Sequence, residues 1–339
     1  MKAYIVTKGS KDLNGLQLIN QPRPKPGETE ILVKMHAASL NYRDQLVISG
    51  NYHGGSVKRD TIPLSDGAGE VVGVGRKVTR FRKGDRVAGT FFRNWISGPS
   101  TGSNVALGSP ADGVLAEYAV FDQENAVKIP ANLSWQEAAC LPCAGVTAWN
   151  ALMETGKALQ PGDTVLVLGT GGVSMFGLLF GKAAGCRVIA TSSSDKKLSK
   201  AKALGADFTI NYKKTPDWEK EVLSLTGGKG ADAVIEVGGV GTLEKSMQCI
   251  AMQGKIGIIG FLAGPGQGGV NPIGLAFRAA SIHGIAVGSR AMFENMNAAI
   301  EANDIKPPID KVFPFAKAHD AIRHAQKQNF FGKIVIRIT

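Results

Sequence analysis

The sequence predicts an α/β protein with two domains: a doubly wound parallel sheet and a second, β-rich domain. Its 339 residues suffice for about two domains, and 44% apolar with 20% charged residues is typical of a chain that buries a core. Short strand-like segments, separated by glycine and proline, fill residues 1–130. Residues 131–290 alternate between apolar strands and helices, and residues 291–339 are predicted to complete the β-rich domain.

The β-rich domain begins with the predicted strands AYIV, TEILVKMHAASL, GEVVGVG, DRVAGTF and AEYAVF. Residues 90–113 are rich in glycine, serine and proline and show neither a helical nor a strand period, so we predict a long loop there. Loops of this length are often lids or binding loops. After residue 290 come two predicted helices, the extended KVFPF and a final strand, GKIVIRIT, which we expect to return to the first sheet.

The second domain is predicted from repeated strand and helix segments. Apolar strands such as TVLVLG, RVIATS and ADAVIEVG are each followed by a helical segment such as SMFGLLFGKAAG or DKKLSKAKALG. Near-continuous apolar strands between helices indicate a parallel sheet covered on both faces.

Composition excludes several classes of function. The net charge is +11, but the basic residues are scattered and are not interleaved with aromatic residues, so we predict no nucleic-acid binding. No apolar run approaches the roughly 20 residues of a membrane span, and no secretory signal is visible, so we expect a cytoplasmic protein with no membrane partner. The cysteines, including the pair Cys140 and Cys143, lack a second pair or histidines that would complete a metal set.

A glycine-rich turn follows the strand TVLVLG and precedes a helix, which is the arrangement of a dinucleotide pyrophosphate site. The third glycine of the usual pattern is Ser174, which leaves a purely structural turn as the alternative. The loop residues expected to contact the cofactor are Gly169, Thr170, Gly171, Gly172 and Val173.

The end of the next strand predicts NADP rather than NAD. An NAD site carries an acidic residue there for the ribose hydroxyls, whereas this chain has the sequence ATSSS. Ser192, Ser193 and Lys197, with Tyr212 after the following strand, would instead bind a 2′-phosphate. Ser194 or Asp195 is also expected to cap the helix.

The order of these parts, with GTGGVS, IATSSSDKKL, LGADFTINY and FFGKIVI, resembles the medium-chain dehydrogenase/reductase superfamily, in particular its zinc-free, quinone-oxidoreductase-like branch. The resemblance covers almost the whole chain. It implies a GroES-like catalytic domain beside a Rossmann domain, with the active site in the cleft between them.

The resemblance also implies where a catalytic zinc would be bound in related alcohol dehydrogenases. The first cysteine ligand falls at Asn41 and the His-Glu pair falls at Ser65 and Asp66, so that only Cys143 remains. Catalytic zinc needs three protein ligands, and the 90–113 loop has no cysteine for a structural zinc. We therefore predict no metal.

The same resemblance supplies candidate catalytic residues in ASLNYRDQLVISGNY. Tyr42 and Tyr52 would donate a hydrogen bond to the oxygen on which negative charge develops, and Tyr52 would supply a proton. The alternatives are that Tyr42 packs on the nicotinamide and Tyr52 anchors a loop. Asn41 would orient a neighbour or contact the cofactor, and Arg43 with Asp44 would form a structural pair.

Further cofactor contacts rest on the resemblance alone. Their alternatives are structural: a helix-interior threonine, glycine turns after strands and a core phenylalanine. His53 is expected at the surface, with a position in the cleft as the alternative. The expected contacts are Thr147, Gly260, Phe261, Leu262, Val287, Gly288, Ser289, Phe331, Gly332 and Lys333.

We thus predict an NADPH-dependent, zinc-independent reductase of quinones or α,β-unsaturated carbonyl compounds, acting on a small-molecule substrate. A carbonyl reductase or alcohol dehydrogenase on the same scaffold is the alternative, and a nucleotide-dependent binding protein is a more remote one. A homodimer is expected by analogy, with AASIHGIAV as the candidate edge strand.

Overall fold

The structure is a computed structural model that describes residues 1–52, 55–260, 262 and 271–339. Two compact units are present: the first consists of Met1–Val146 and Gly288–Thr339, and the second of Thr147–Val287. Two of the residues discussed above, His53 and Phe261, lie outside the described residues.

The strands within the described residues, in chain order, are β1 (Lys2–Val6), β2 (Leu16–Asn20), β3 (Glu30–Ser39), β4 (Asp66–Val74), β5 (Arg86–Gly89), β6 (Phe92–Arg93), β7 (Val105–Ala106), β8 (Tyr118–Asp122), β9 (Ala126–Lys128), β10 (Thr164–Val167), β11 (Arg187–Ser192), β12 (Phe208–Asn211), β13 (Ala231–Glu236), β14 (Ile250–Ile258), β15 (Ser281–Gly284), β16 (Ile309–Pro314) and β17 (Lys333–Arg337).

The α-helices, again in chain order, are α1 (Tyr42–Ile48), α2 (Trp135–Ala138), α3 (Val146–Trp149), α4 (Gly172–Ala183), α5 (Asp195–Ala203), α6 (Trp218–Leu225), α7 (Val240–Gln248), α8 (Ile273–Arg278), α9 (Arg290–Ala302) and α10 (Ala318–Gln326). Two π-helical turns, Leu141–Gly145 and Asn150–Glu154, flank α3.

The first unit is built on a seven-stranded sheet in the order β16-β17-β3-β4-β5-β9, with β8 also paired to β3. The C-terminal segment returns to this sheet, because β17 pairs antiparallel with β3 and sets Val335 opposite Ser39. The 90–113 segment contains the short hairpin β6–β7, which the sequence did not predict because each strand is only two residues long.

The boundary between the units differs from the predicted junction near residue 130. The helical segment that begins at α2 lies in the first unit, where the Trp135 ring stacks on His36 of β3 with centroids 4.5 Å apart. The guanidinium of Arg86, on β5, lies 4.5 Å from the centre of the same ring. The helix-like pattern of this segment therefore did not reveal which domain it packs on.

Three strand ends meet at one place in the first unit. Ser39, the last residue of β3, pairs with Asp66, the first residue of β4. The N–H of Leu40 donates to the carbonyl of Ile334 at 3.0 Å, next to Lys333, the first residue of β17. Polar side chains at these ends are thus brought together although they are far apart in sequence.

The described part of the second unit holds a six-stranded, all-parallel sheet in the order β12-β11-β10-β13-β14-β15. The direction of winding reverses between β10 and β13, which is where doubly wound sheets bind nucleotides at the carboxyl ends of their strands. The candidate strand AASIHGIAV forms β15 at the edge of the sheet. This architecture confirms the predicted α/β fold.

No helix in the described ranges is both long and apolar enough to cross a membrane.

Candidate active site

In the second unit, the turn after β10 has the geometry of an anion site. Gly169 has a φ of +73°, a conformation that L side chains rarely adopt, and its N–H donates to Thr191 Oγ1 at 3.2 Å. Gly171 then caps α4, which begins at Gly172. The first N–H groups of the helix point out of its end, where the helix dipole also favours a negative charge.

The departure from the glycine pattern at Ser174 has a structural explanation. The Ser174 hydroxyl donates to the carbonyl of Leu168 at 2.6 Å and so fastens α4 to the end of β10. Close packing of helix on strand is supplied one turn later by Gly177, where an added Cβ would lie 3.1 Å from Ile235 Cγ1 and 3.2 Å from Val167 Cγ1. Sequence analysis missed this glycine because it lies outside the expected spacing.

At the end of β11, Ser194 caps α5 as expected, since its Oγ accepts from the N–H of Lys197 at 3.4 Å. Ser192 is buried, and its Oγ accepts from the Ser194 N–H at 3.3 Å. Ser193 and Lys197 are partly buried, whereas the Tyr212 side chain is 41% exposed.

Asp195 is the first carboxylate after β11, and it already has partners. Its two oxygens accept hydrogen bonds from Lys214 Nζ and Asn211 Nδ2, each at 2.7 Å. The hydrogen bond from Lys214, followed by that from Asn211, lowers the pKa of Asp195. The charge of this aspartate is therefore compensated within the protein.

The end of β13 is organised by Glu236, a buried residue that sequence analysis did not select. Its Oε1 accepts from the N–H groups of Gly238 and Gly239 at 2.8 and 3.1 Å and from Thr242 Oγ1 at 2.6 Å. Ser246 Oγ donates to the other oxygen at 2.5 Å. Four donors thus fix the turn that follows β13.

The predicted contacts after β14 lie against this turn. A Cβ added to Gly260 would approach the carbonyl oxygen of Val237 to 2.7 Å, so the position has no room for a larger residue. The Leu262 N–H donates to that carbonyl at 3.1 Å, and its side chain is 48% exposed.

Val287 has a φ of +57°, which is unusual for a β-branched residue and strains the backbone. Its carbonyl accepts a 2.7 Å hydrogen bond from Asn150 Nδ2, and Asn150 Oδ1 accepts from Thr155 Oγ1 at 2.7 Å. Thr147, also predicted to contact the cofactor, is 2% exposed. Asn150 was not predicted, because nothing in its local sequence indicates a contact with residue 287.

The remaining predicted contacts belong to the first unit. A Cβ on Gly288 would lie 2.8 Å from Val146 Cγ1, and Ser289 caps α9 by accepting from the Met292 N–H at 3.2 Å. Gly332 has a φ of +75°, and Phe331 is buried, with its N–H donating to Asp310 Oδ1 at 3.1 Å.

A group of buried and partly buried polar side chains, here called the Lys333 cluster, occupies the strand ends of the first unit. It comprises Asn41, Ser65, Asp66, Cys143 and Lys333. Lys333 is 3% exposed, and its Nζ donates to Leu40 O at 2.7 Å and to Asn41 Oδ1 at 2.6 Å. The ammonium also lies 3.9 Å from Asp66 Oδ2.

Asp66 is fully buried and receives two further hydrogen bonds. Ser65 Oγ donates to its Oδ1 at 2.7 Å, and the Cys143 N–H donates to its Oδ2 at 3.0 Å. Burial raises the pKa of Asp66, while the Lys333 ammonium opposes that shift. Burial likewise raises the pKa of the Cys143 thiol and that of Cys140, the latter to about 12.

The Lys333 cluster does not fit a zinc ion. A divalent cation would face the Lys333 ammonium, and Asp66 and Cys143 are the only members of the cluster of a type that ligates zinc, one fewer than a catalytic zinc needs. In the described part of the chain, no group of three or more His, Cys, Asp or Glu side chains is placed to hold a metal.

The aromatic candidates lie beside this cluster in sequence but differ in environment. Tyr42 begins α1 and is 38% exposed. Tyr52 is partly buried, and the Arg43 guanidinium carbon lies 4.8 Å from its ring centre. Arg43 donates to the carbonyls of Leu107 and Ser109 at 2.7 and 3.0 Å.

Asp44 has different hydrogen-bond partners from Arg43, although the two were predicted to form a pair. Its Oδ2 accepts from the Asn41 N–H at 2.7 Å and caps the start of α1. Burial raises the pKa of Asp44 to about 6. The backbone at Asn41 is therefore held by Asp44 while its side chain is held by Lys333.

Comparison with known protein families gives two matches. Residues 27–131 match the alcohol dehydrogenase GroES-like domain, and residues 172–302 match the zinc-binding dehydrogenase family.

Three relatives illustrate the range of similar proteins. A zinc-type alcohol dehydrogenase-like protein of Schizosaccharomyces pombe is 48% identical over 319 residues, covering 92% of this chain and 91% of that protein. A quinone oxidoreductase of Pseudomonas aeruginosa is 31% identical, with 92% of each chain covered. A 2-methylene-furan-3-one reductase of Solanum lycopersicum is 31% identical over 99% of this chain and 79% of that protein.

Solved structures share the fold over the full length. A putative alcohol dehydrogenase from Sinorhizobium meliloti is 41% identical with a TM-score of 0.92, covering 99% of this chain and 98% of that one. An NAD-dependent alcohol dehydrogenase is 33% identical with a TM-score of 0.90, and a mycobacterial protein complexed with NADPH is 26% identical with a TM-score of 0.82; both cover 100% of each chain.

The relatives, the two family matches and the parallel sheet with its glycine turn agree with one another. They confirm the resemblance to the superfamily that was found in the sequence and support a nicotinamide nucleotide as the cofactor. The chain is an oxidoreductase and belongs to the medium-chain dehydrogenase/reductase superfamily.

Proposed function

We propose that the protein is an NADPH-dependent, zinc-independent reductase of quinones or α,β-unsaturated carbonyl compounds. The observation that carries this proposal is the Lys333 cluster, in which a buried ammonium lies among the positions where zinc-dependent relatives would place their metal ligands. This arrangement supports a reaction that proceeds without a Lewis-acidic metal.

The preference for NADPH is supported by the end of β11. Ser192, Ser193 and Lys197 offer hydroxyl groups and a positive charge, and Tyr212 adds an exposed hydroxyl after β12. The neighbouring carboxylate of Asp195 is compensated by Lys214. Charge-assisted hydrogen bonds from these groups would favour a 2′-phosphate at the end of β11. The carboxylate that binds the ribose hydroxyls in an NAD site has no counterpart at the end of this strand.

The expected cofactor residues also include the glycine turn, which would bind the pyrophosphate, and residues after β14 and β15 that would bind the nicotinamide end. Val287 is the best supported of these, since Asn150 holds its strained backbone in one orientation. Strain of this kind is often found at ligand-binding positions.

Bound NADPH would supply the hydride. The residues of the chain would stabilise the negative charge that develops on the substrate oxygen and return a proton. Tyr52, Tyr42 and Asn41 are the proposed donors, with Tyr52 or solvent as the source of the proton.

The test is to give the purified protein NADPH and 2-cyclohexen-1-one, to follow the loss of reduced nicotinamide and to identify the product. A saturated ketone supports the proposal. An allylic alcohol overturns conjugate reduction and identifies the protein as a carbonyl reductase. NADH serves as the matched cofactor control.

A carbonyl reductase or alcohol dehydrogenase is the second candidate, favoured by the alcohol dehydrogenase names of the 48% identical relative and of the 41% identical structure. It predicts oxidation of simple alcohols with an oxidised nicotinamide nucleotide. The same preparation distinguishes the two candidates when alcohols and enones are assayed side by side.

We also propose a homodimer for this enzyme and a cytoplasmic location. The edge strand β15 and the exposed side chains of Phe277 and Ile273 on α8, which are 80% and 58% exposed, would form the contact.

A further inference from the structure

The orientation of the Asn41 side chain is determined by its neighbour. The Lys333 ammonium has only hydrogen-bond donors, so the carboxamide must turn its carbonyl oxygen, rather than its NH₂ group, toward Nζ. That contact is 2.6 Å long. The NH₂ group of Asn41 consequently points away from Lys333.

The opposite side of the amide agrees with this orientation. Ser65 Oγ lies 3.5 Å from Asn41 Nδ2, and the Ser65 hydroxyl hydrogen is directed to Asp66 Oδ1 at 2.7 Å. Ser65 is therefore an acceptor toward Asn41. Hydrogen bonds run in one direction from Lys333 through Asn41 and Ser65 to Asp66, and the charge of Asp66 faces the ammonium at 3.9 Å.

The backbone of Asn41 is fixed as well. Its N–H donates to Asp44 Oδ2 at 2.7 Å, and Lys333 Nζ also binds the carbonyl of Leu40 at 2.7 Å. The residue is only partly buried, in contrast to Lys333, Ser65 and Asp66. Lys333 and Ser65 thus hold the two ends of the carboxamide, and Asp44 holds its backbone. An amide of a partly exposed residue that is held in this way is a preorganised hydrogen-bond donor.

We propose that Lys333 is a positioning residue, which fixes the Asn41 carboxamide so that its NH₂ group donates a hydrogen bond to the substrate oxygen during hydride transfer. This inference rests on the proposed function, because it names the donor of that reaction. It also gives Lys333 a different role from the cofactor contact expected from the sequence, since its ammonium is occupied by Leu40, Asn41 and Asp66.

The test is a double-mutant cycle with Lys333→Met, Asn41→Leu and the combined variant, assayed with NADPH and 2-cyclohexen-1-one. If Lys333 acts through Asn41, each single variant lowers kcat by about 10- to 100-fold and the combined variant loses little more. The KM for NADPH stays close to that of the wild type in all three.

Removing Lys333 leaves Asp66 buried without its counter-charge, so a loss of folding must be separated from a loss of positioning. The variant Lys333→Met/Asp66→Asn removes both charges and is expected to fold with the same loss of kcat. Lys255→Met is the matched control, because Lys255 is 2% exposed in the second unit and its Nζ donates to Leu152 O and Thr155 O at 2.8 and 2.7 Å. Lys255→Met should have a lower melting temperature than the wild type but the same kcat at temperatures where it is folded.

Two kinetic outcomes overturn the inference. Losses of kcat that multiply in the combined variant mean that Lys333 and Asn41 act independently. A rise in the KM for NADPH with unchanged kcat means that Lys333 serves the cofactor.

The wild type and the three variants of the cycle, namely Lys333→Met, Asn41→Leu and their combination, are also compared by thermal unfolding, which does not depend on activity. Non-additive melting temperatures are expected, and additive ones refute the contact between Lys333 and Asn41. If the wild type transfers no hydride to the enone or to a simple aldehyde, both the proposed function and the donor role of Asn41 are wrong. The unfolding measurements still decide whether Lys333 and Asn41 are in contact.

Discussion

The side-chain amide of Asn150 donates a 2.7 Å hydrogen bond to the carbonyl of Val287, a residue whose φ is +57°. Asn150 lies in the π-helical turn after α3, and Val287 follows the edge strand β15. One buried side chain thus holds a strained turn in the place where the nicotinamide is proposed to bind.

Asn150→Leu should weaken cofactor binding. The change leaves the Val287 carbonyl without its donor, which costs about 1–3 kcal/mol when a buried group is unpaired. We expect the dissociation constant for NADPH, measured by fluorescence titration, to rise about tenfold, in keeping with that energy. Thr155→Val is the control, since it removes only the hydroxyl that binds Asn150 Oδ1. An equal effect of both variants would contradict the role of the Val287 turn.

Lys197→Met should reduce the preference for NADPH over NADH. A charge-assisted hydrogen bond to a 2′-phosphate contributes about 1.5–3 kcal/mol, so kcat/KM for NADPH should fall roughly 10- to 100-fold while that for NADH changes little. Lys200→Met, in the last turn of the same helix, is the matched control. A parallel loss with both cofactors would show that Lys197 is not the phosphate ligand.

The stability of the first unit should depend on pH through Asp44. Its pKa is raised from 3.8 to about 6, so the native state holds this proton more tightly than the unfolded chain does. The stabilisation is complete below about pH 4 and is lost as the pH rises to about 6. Asp44→Asn keeps a carbonyl that can accept from the Asn41 N–H but removes the titration.

Urea unfolding from pH 4 to 7 checks this prediction. As the pH rises from 4 to 7, the free energy of unfolding of the wild type should fall relative to that of Asp44→Asn. The difference should be at most about 3 kcal/mol, which corresponds to a pKa shift of about two units. Parallel curves for the two proteins would disprove the raised pKa.

Activity should be insensitive to metal chelators. The Lys333 ammonium contacts Asn41 and lies near Asp66, and we propose that it excludes a metal ion from this place. Dialysis against EDTA or incubation with 1,10-phenanthroline should therefore leave kcat unchanged. Elemental analysis of the purified protein should find no stoichiometric zinc. Stoichiometric zinc whose removal abolishes activity would contradict the zinc-independent mechanism.

Phe277→Glu should disrupt the proposed dimer. The side chain is 80% exposed on α8, and a charge there would have to be desolvated in an apolar contact. Light scattering after size-exclusion chromatography should then give the mass of a monomer, compared with a dimer for the wild type. Leu18→Glu, on β2 of the first unit and 46% exposed, is the control that should remain dimeric.

The parts that the sequence predicted well are those whose determinants are local. The strand TVLVLG, the glycine turn and the helix after it are contiguous, so residues 164–183 could be predicted as one unit. Of the two residues expected to cap α5, Ser194 and Asp195, Ser194 does so. Short-range turn and capping chemistry depends on neighbours within a few residues.

The parts that were missed depend on contacts between distant residues. Lys333 and Asn41 are 292 positions apart, and Asn150 and Val287 are 137 apart. No local pattern distinguishes a lysine that enters a buried cluster from one on the surface. Only strand pairing, which sets β17 beside β3, brings the first pair together.

The pairing of β17 with β3 also has a consequence for synthesis on the ribosome. The second unit is one uninterrupted stretch, Thr147–Val287, so all its strands are translated before β16 and β17. The sheet of the first unit, by contrast, lacks β16 and β17 until residues 309–337 have been translated, and Asp66 has no Lys333 beside it before then. The second unit is therefore the first to be ready to fold, and the Lys333 cluster is assembled after it.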